Sequence, residues 1–225
     1  MEVIPSAWLF LGGELSPIGD TVSFLRRPAA DVLEVINGIR ADATLEVADV
    51  GRLPGSVSRL DPMEAPWTTE VVIDCGDWTA YLNNSIGGGD ITAIAPAVGR
   101  ILNTVCVGAQ HSERYGPGHA ATQLWLQGPD GEPPLMYVRT LSAHCQDGRW
   151  SWRTSGAIQD FEKPERYERR RIAQRFDRTT LTEYLDALGI RMDDPSFFGD
   201  GTAIRHVVDW NARRQSVAEW RAENR

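Results

Sequence analysis

The chain has 225 residues, of which 42% are hydrophobic and 24% charged, and it carries a formal net charge of −8. These values fit a globular chain of one large domain or two small ones and exclude intrinsic disorder. No apolar run approaches the roughly 18 residues of a membrane-spanning helix, and Glu2 stands where a secretory leader would carry a basic residue. No membrane association is expected.

The charge is unevenly spread. Residues 1–162 carry 10 Arg against 20 Asp and Glu, whereas residues 163–225 carry 13 Arg or Lys against 11 acids. Lys163 is the one lysine beside 22 arginines, a bias that a GC-rich genome explains without a guanidinium-dependent task. An acidic body disfavours general binding to a phosphate backbone, which relies on clustered cations. It suits solubility, or the steering of a basic protein partner. Cys75, Cys106 and Cys145 are an odd number without a C-x-x-C pair and are expected to stay reduced in a cytoplasm. Cys145, beside the turn-forming Gln146-Asp147-Gly148, is expected to be the more exposed thiol. No cofactor or metal is expected.

In chain order, residues 1–50 predict a strand-helix-strand unit. Ala7–Leu11 is a short apolar run stopped by Gly12-Gly13, and Thr21–Leu25 is a second strand. Pro28 suits the first turn of a helix, in which Val32, Val35, Ile36 and Ile39 form one apolar face before Thr44–Ala48 returns to strand. Residues 51–68, with Pro54, Gly55, Pro62 and Pro66, read as a connection with room for a helical turn between Arg52 and Met63.

Residues 69–162 repeat the order. Val71–Cys75 and Trp78–Leu82 are strands; Asp90 caps a helix bearing Ile91, Ile94, Val98, Ile101 and Leu102; Thr104–Val107 is the next strand. An internal duplication, or the commonness of strand-helix-strand, accounts for the similarity equally well. Ala121–Gln127, Leu135–Ala143 and Arg149–Arg153 then predict a three-stranded antiparallel meander, with turns at Gly128–Gly131 and Gln146–Gly148. One of its faces is expected under the two helices and the other partly wet. Residues 163–225 read as helical: Pro164 to Phe176, Thr179 or Thr180 to Leu188 with Gly189 as the stop, and His206 to Trp220, with a loop over Met192–Asp200. The fold class is therefore α+β: an antiparallel sheet with a meander, packed against helices, and a helical C-terminal region, in one compact domain overall.

Three segments offer chemistry. Asn83–Asp90 resembles a phosphate loop before a helix but lacks Gly-Lys-Ser/Thr, and Asp90 puts negative charge where phosphate would sit, so a turn and cap is the simpler reading. His111, Glu113 and His119 share a connection and would supply acid and base to a small hydrolase, although their spacing matches no metal signature. Arg171 and Arg175 belong to a stripe on the helix after Pro164 that would meet an anion or nucleic acid. The interleaved Glu165 and Glu168 make it equally a solvated face. Trp125, Trp150 and Trp152 sit on strands, where packing is the default. Alternation places Trp150 and Trp152 on one face and Arg149, Ser151 and Arg153 on the other, so an exposed Trp with these arginines would anchor an interface.

From Trp78-Thr79-Ala80-Tyr81 onward, the Gly-Gly-Gly-Asp loop, Gly128-Pro129-Asp130-Gly131, Gly148-Arg149-Trp150, Phe161-Glu162, Tyr167, Arg169-Arg170 and Arg175-Phe176 follow in order. Over about residues 78–190 this order resembles uncharacterised proteins of high-GC actinobacteria or their phages, which supply no activity to transfer. The acidic α+β body is also similar in general character to immunity proteins of polymorphic toxin systems. Three readings follow. The first is a cytoplasmic, non-catalytic protein that binds another protein, as an immunity or anti-defence factor. The second is a small hydrolase using His111, Glu113 or His119. The third is a nucleic-acid binder using the arginine-rich helix.

Overall fold

The computed structural model describes residues 9–87, 93–115, 119–208 and 211–224. Nine strands form one sheet in the order β2-β10-β4-β5-β1-β6-β7-β8-β9, with every neighbouring pair antiparallel. They are β1 (Thr21–Leu25), β2 (Thr44–Gly51), β4 (Thr69–Cys75), β5 (Trp78–Asn83), β6 (Cys106–Tyr115), β7 (His119–Glu132), β8 (Tyr137–Gln146), β9 (Arg149–Gly156) and β10 (Gly201–Val207). A small second sheet pairs β3 (Met63–Ala65) with β11 (Arg213–Gln215). The helices are α1 (Ala29–Ile39), α2 (Ile94–Ile101), α3 (Arg178–Ala187) and α4 (Val217–Asn224). The α+β class read from the sequence is the observed one.

The central strands are covered on both sides, which is why they read as continuous apolar runs rather than alternating ones. Val22 and Phe24 of β1 point to one layer while Leu25 points to the other. The thinner layer is α1 and α2, whose Val32, Ile36, Ile94 and Val98 pack on Leu25, Val72, Tyr81 and Ile204. Val32 and Ile36 are one helical turn apart and fully buried, each contributing about 1.5–3 kcal/mol. The thicker layer is α3 with Phe10, Phe197 and Phe198. Asp177 caps α3 by accepting from the Thr180 backbone N–H at 2.9 Å and from its hydroxyl at 2.7 Å. Leu181, Tyr184 and Leu185 then face the sheet, and Gly189 leaves the helix at φ +85°.

The meander forms as predicted, and Asp147 (φ 51°) and Gly148 (φ 77°) supply the two left-handed residues of its β8–β9 turn. The β7–β8 turn lies at Pro133–Met136, because β7 continues irregularly through Gly128–Glu132. Gly131 lies against the Met136 carbonyl where a β-carbon would collide. The covered face of the meander packs under α3 and the 164–176 segment, where Trp152 meets Tyr167 at 5.0 Å and Phe176 at 6.3 Å between ring centroids, while α2 approaches β7 near Gln127 and Gly128.

The segment from Pro164 to Phe176, predicted as one helix, is two 3-10 turns, Pro164–Glu168 and Ile172–Gln174. A continuous helix would set Tyr167 and Phe176 about 13.5 Å apart and half a turn out of phase; broken, it lets both rings reach Trp152. The helix predicted over His206–Trp220 is replaced by β10 and β11, with α4 at its end. β10 fills the slot between β2 and β4 and satisfies both edges. Leu9–Leu11, predicted as strand, is a buried irregular turn; Trp8 and residues 88–92, with the Asp90 cap, lie outside the described residues. Both strand-helix-strand units are parallel crossovers, β1-α1-β2 over three intervening strands and β5-α2-β6 over one. No helix among the described residues is long and apolar enough to cross a membrane.

Candidate functional site

A cleft of about 740 Å³ lies at the β2 edge of the sheet. Its floor is the alternating face of β2 and β10, where Glu46 lies opposite Arg205 and Ala48 opposite Ala203. Its wall is the 51–68 connection, which presents Arg59, Asp61 and Glu64, and Arg214 of β11 completes the rim. Asn84 fixes that wall: its side-chain oxygen accepts from the backbone N–H groups of Thr68 (3.0 Å) and Thr69 (2.9 Å), and its amide donates to the Pro62 carbonyl at 3.1 Å. Glu64 is buried and held by the Thr68 hydroxyl and by Arg214 Nε at 2.7 Å. Asp61 accepts from the Val217 N–H at 3.1 Å and so ties the connection to α4. Glu46 and Asp49 are exposed and form no ion pair among the described residues.

β2 is an edge strand of eight residues, exposed along most of its length, with Val47 at 54% exposure. Among the described residues no strand pairs with its outer N–H and C=O groups, the arrangement that accepts an added strand. The opposite edge, β9, carries Arg149 and Arg153. The two free edges thus differ in sign.

The residues singled out in the sequence are distributed as follows. His111, Glu113 and His119 lie on the β6–β7 hairpin rather than on a loop; residues 116–118 at its tip lie outside the described residues. His111 is on the face toward α3, its Nδ1 2.9 Å from the Thr122 hydroxyl, and Glu113 follows two residues on. Burial first, then the nearby Arg178, push the His111 imidazole down to about 4, so it is neutral at pH 7. His119 falls on the opposite face, with Ser112 and Gln123. The three side chains do not converge.

Trp150 and Trp152 are half-buried on the covered face and serve packing. Trp125, Arg149 and Arg153 share the uncovered face of the meander, where Gln123 donates to Ser142 at 2.8 Å and Ser142 meets His144 Nδ1 at 3.1 Å. Arg171 is exposed at the start of a 3-10 turn, and Arg175 donates to the Arg169 carbonyl at 2.8 Å. With the helix gone, they form no stripe. All three cysteines are free and buried, Cys145 included, contrary to its expected exposure, since its side chain faces the covered layer opposite Trp150. Burial pushes the Cys75 and Cys106 thiols up to about 12, which suppresses thiolate chemistry. Among the described residues, no three His, Cys, Asp or Glu side chains converge as a metal site.

Sequence reasoning passed over Glu46, Asp49, Asp61 and Glu64 because they lie in a strand without a motif and in a connection. Their one signal was the acidic excess of the first 162 residues. Compared with protein-family models, curated proteins and solved structures, the chain matches none.

Proposed function

We propose that this chain is a non-catalytic protein-binding protein that takes an extended, basic segment of its partner along β2, with side chains of that segment entering the adjacent cleft. The observation that carries this reading is the exposed acidic edge: an eight-residue strand paired on one side, bearing Glu46 and Asp49, beside a polar cleft. Main-chain hydrogen bonds to the edge supply affinity, and the alternating cleft residues supply selectivity. The acidic sign raises the association rate of a basic segment and makes it sensitive to salt. An immunity or anti-defence factor that masks a basic toxin or effector surface is the biological form of this reading.

The test places a photo-crosslinker at Val47 in the full chain, identifies the captured protein, and measures its binding to the purified pair. The Glu46→Lys, Asp49→Lys double variant should bind at least about tenfold more weakly, equivalent to about 1.4 kcal/mol, with the Tm unchanged. A partner that binds this double variant as tightly as the parent, or whose binding ignores salt, would refute the assignment.

A further inference from the structure

We propose that a second cavity, between β6–β8 and α4, binds a small organic cation, with the ammonium or guanidinium group of the ligand paired to the Asp20 carboxyl. This cavity has a volume of about 410 Å³ and shares no lining residue with the cleft beside β2. That size falls in the usual range for small-molecule sites.

Asp20 ends a 3-10 turn (Ile18–Asp20) immediately before β1 and lines the cavity. It is 3% exposed, and its Oδ1 has no hydrogen-bond partner among the described residues. A buried carboxyl oxygen without a partner is rare, and it fits a site that a donor fills. Two neighbouring amides each commit one N–H and keep a second. Gln123 donates its amide to Ser142 at 2.8 Å, and Asn224 donates its amide to the Trp220 carbonyl at 2.8 Å. Each retains its carbonyl oxygen as an acceptor. Both oxygens, with the Asp20 carboxyl, can receive the N–H donors of a ligand.

Charge narrows the class. Among the described residues that line the cavity there is no Lys or Arg. Arg221 of α4, whose charge is felt at Asp20, donates to the backbone carbonyls of Ser16 (3.0 Å) and Glu14. Glu113 of β6 adds a second negative charge to the field at Asp20. Trp220 brings an aromatic ring to the same wall, a surface that attracts cations.

The protonation of Asp20 supports the assignment. Burial above all pushes its carboxyl up to about 7; hydrogen bonds from Ser16 and Gly12 lower it, Glu113 raises it and Arg221 lowers it. The other titratable groups among the described residues lining the cavity are His119 of β7 and His144 and Cys145 of β8. A bound cation would hold Asp20 ionised, so binding at neutral pH releases a proton.

The test is calorimetry on the full chain at pH 8 with agmatine, which carries both cationic groups, and with glucose and inorganic phosphate as neutral and anionic controls. Agmatine should bind, and Asp20→Asn should weaken it by at least about tenfold. Affinity should fall by up to about tenfold per pH unit below 7, and the heat should scale with the ionisation enthalpy of the buffer. Asn224→Ala, at a half-buried position of α4, tests the same wall without a core change and should weaken agmatine several-fold. The assignment is overturned if agmatine gives no heat at millimolar concentration, if Asp20→Asn binds it as well as the parent, or if glucose or phosphate is preferred.

Discussion

Two buried carboxylates on the α3 side of the sheet, Glu162 and Asp20, differ in how they are treated. Glu162 receives Arg139 in a two-point grip, Nε to Oε1 and Nη2 to Oε2 at 2.8 Å each, together with the Tyr167 hydroxyl at 2.7 Å and the Gln159 N–H at 2.8 Å. Arg139 is itself completed by the carbonyls of Ser155 and Gly156. On the opposite side of the sheet, Glu70 is satisfied in the same manner by His206 at 3.0 Å, Tyr81 at 2.7 Å and Arg40 at 3.3 Å. Burial raises the Glu70 carboxyl, but these partners outweigh it and leave it below its ordinary value. Asp20, equally buried, has an oxygen unserved and sits near 7. Where its lone pairs are used, a buried carboxylate stays ionised and holds the architecture; where one is left, burial favours the neutral acid.

The sharpest way to break this contrast is to strip one side of the saturated pair. Glu162→Ala leaves Arg139 buried and unpaired, and urea unfolding should show a loss of about 3–5 kcal/mol. A loss below about 1 kcal/mol would mean that the pair is solvated and the contrast false.

Asp20→Asn should act in the opposite direction. The folded-state pKa of Asp20 lies above its unfolded value of 3.8, so ionisation opposes folding. That cost is absent below about pH 4, grows as pH rises, and is fully developed above about pH 7, on the order of 4 kcal/mol. The variant should therefore be more stable than the parent at pH 8 and about equal to it at pH 4, measured by urea unfolding at both. A destabilised variant at pH 8 would show that the carboxylate is paired.

The smallest effect is expected outside the core. Glu183 takes Lys163 at 2.6 Å and Arg166 at 3.0 Å, but on a partly exposed surface. Glu183→Ala should cost at most about 1 kcal/mol in thermal unfolding, and less at high salt.

What the sequence disclosed was local. Thr21–Leu25, the α1 face, the Asp147-Gly148 turn and the α3 stripe each depend on residues within one or two turns of each other, and all were legible. Features set by distant partners were not. The arginine-bearing segment has helical spacing, yet the demand that Tyr167 and Phe176 both reach Trp152 breaks it. Val207, Val217 and Trp220 fit a helix on paper, but β2 and β4 require a strand between them. Asp20 follows Pro17 and Gly19 and reads as an ordinary turn residue. Its burial comes from the turn packing against elements far along the chain, including α4, and composition carries no trace of that. The cleft was foreshadowed only by the acidic excess that contributes Glu46 and Asp49.

The position of β10 has a consequence for biosynthesis. Val207 pairs with Thr44 and Gly201 with Ile73, so β2 has no strand to join until residues 201–207 have left the ribosome. Until then the nascent chain exposes two unpaired strand edges, those of β2 and β4, for most of its synthesis. Contacts of such long sequence separation form slowly, and open edges in that interval are where misassociation begins. The proposed recognition strand is thus completed late, after most of the chain has been made, which delays partner capture until the sheet has closed around β10.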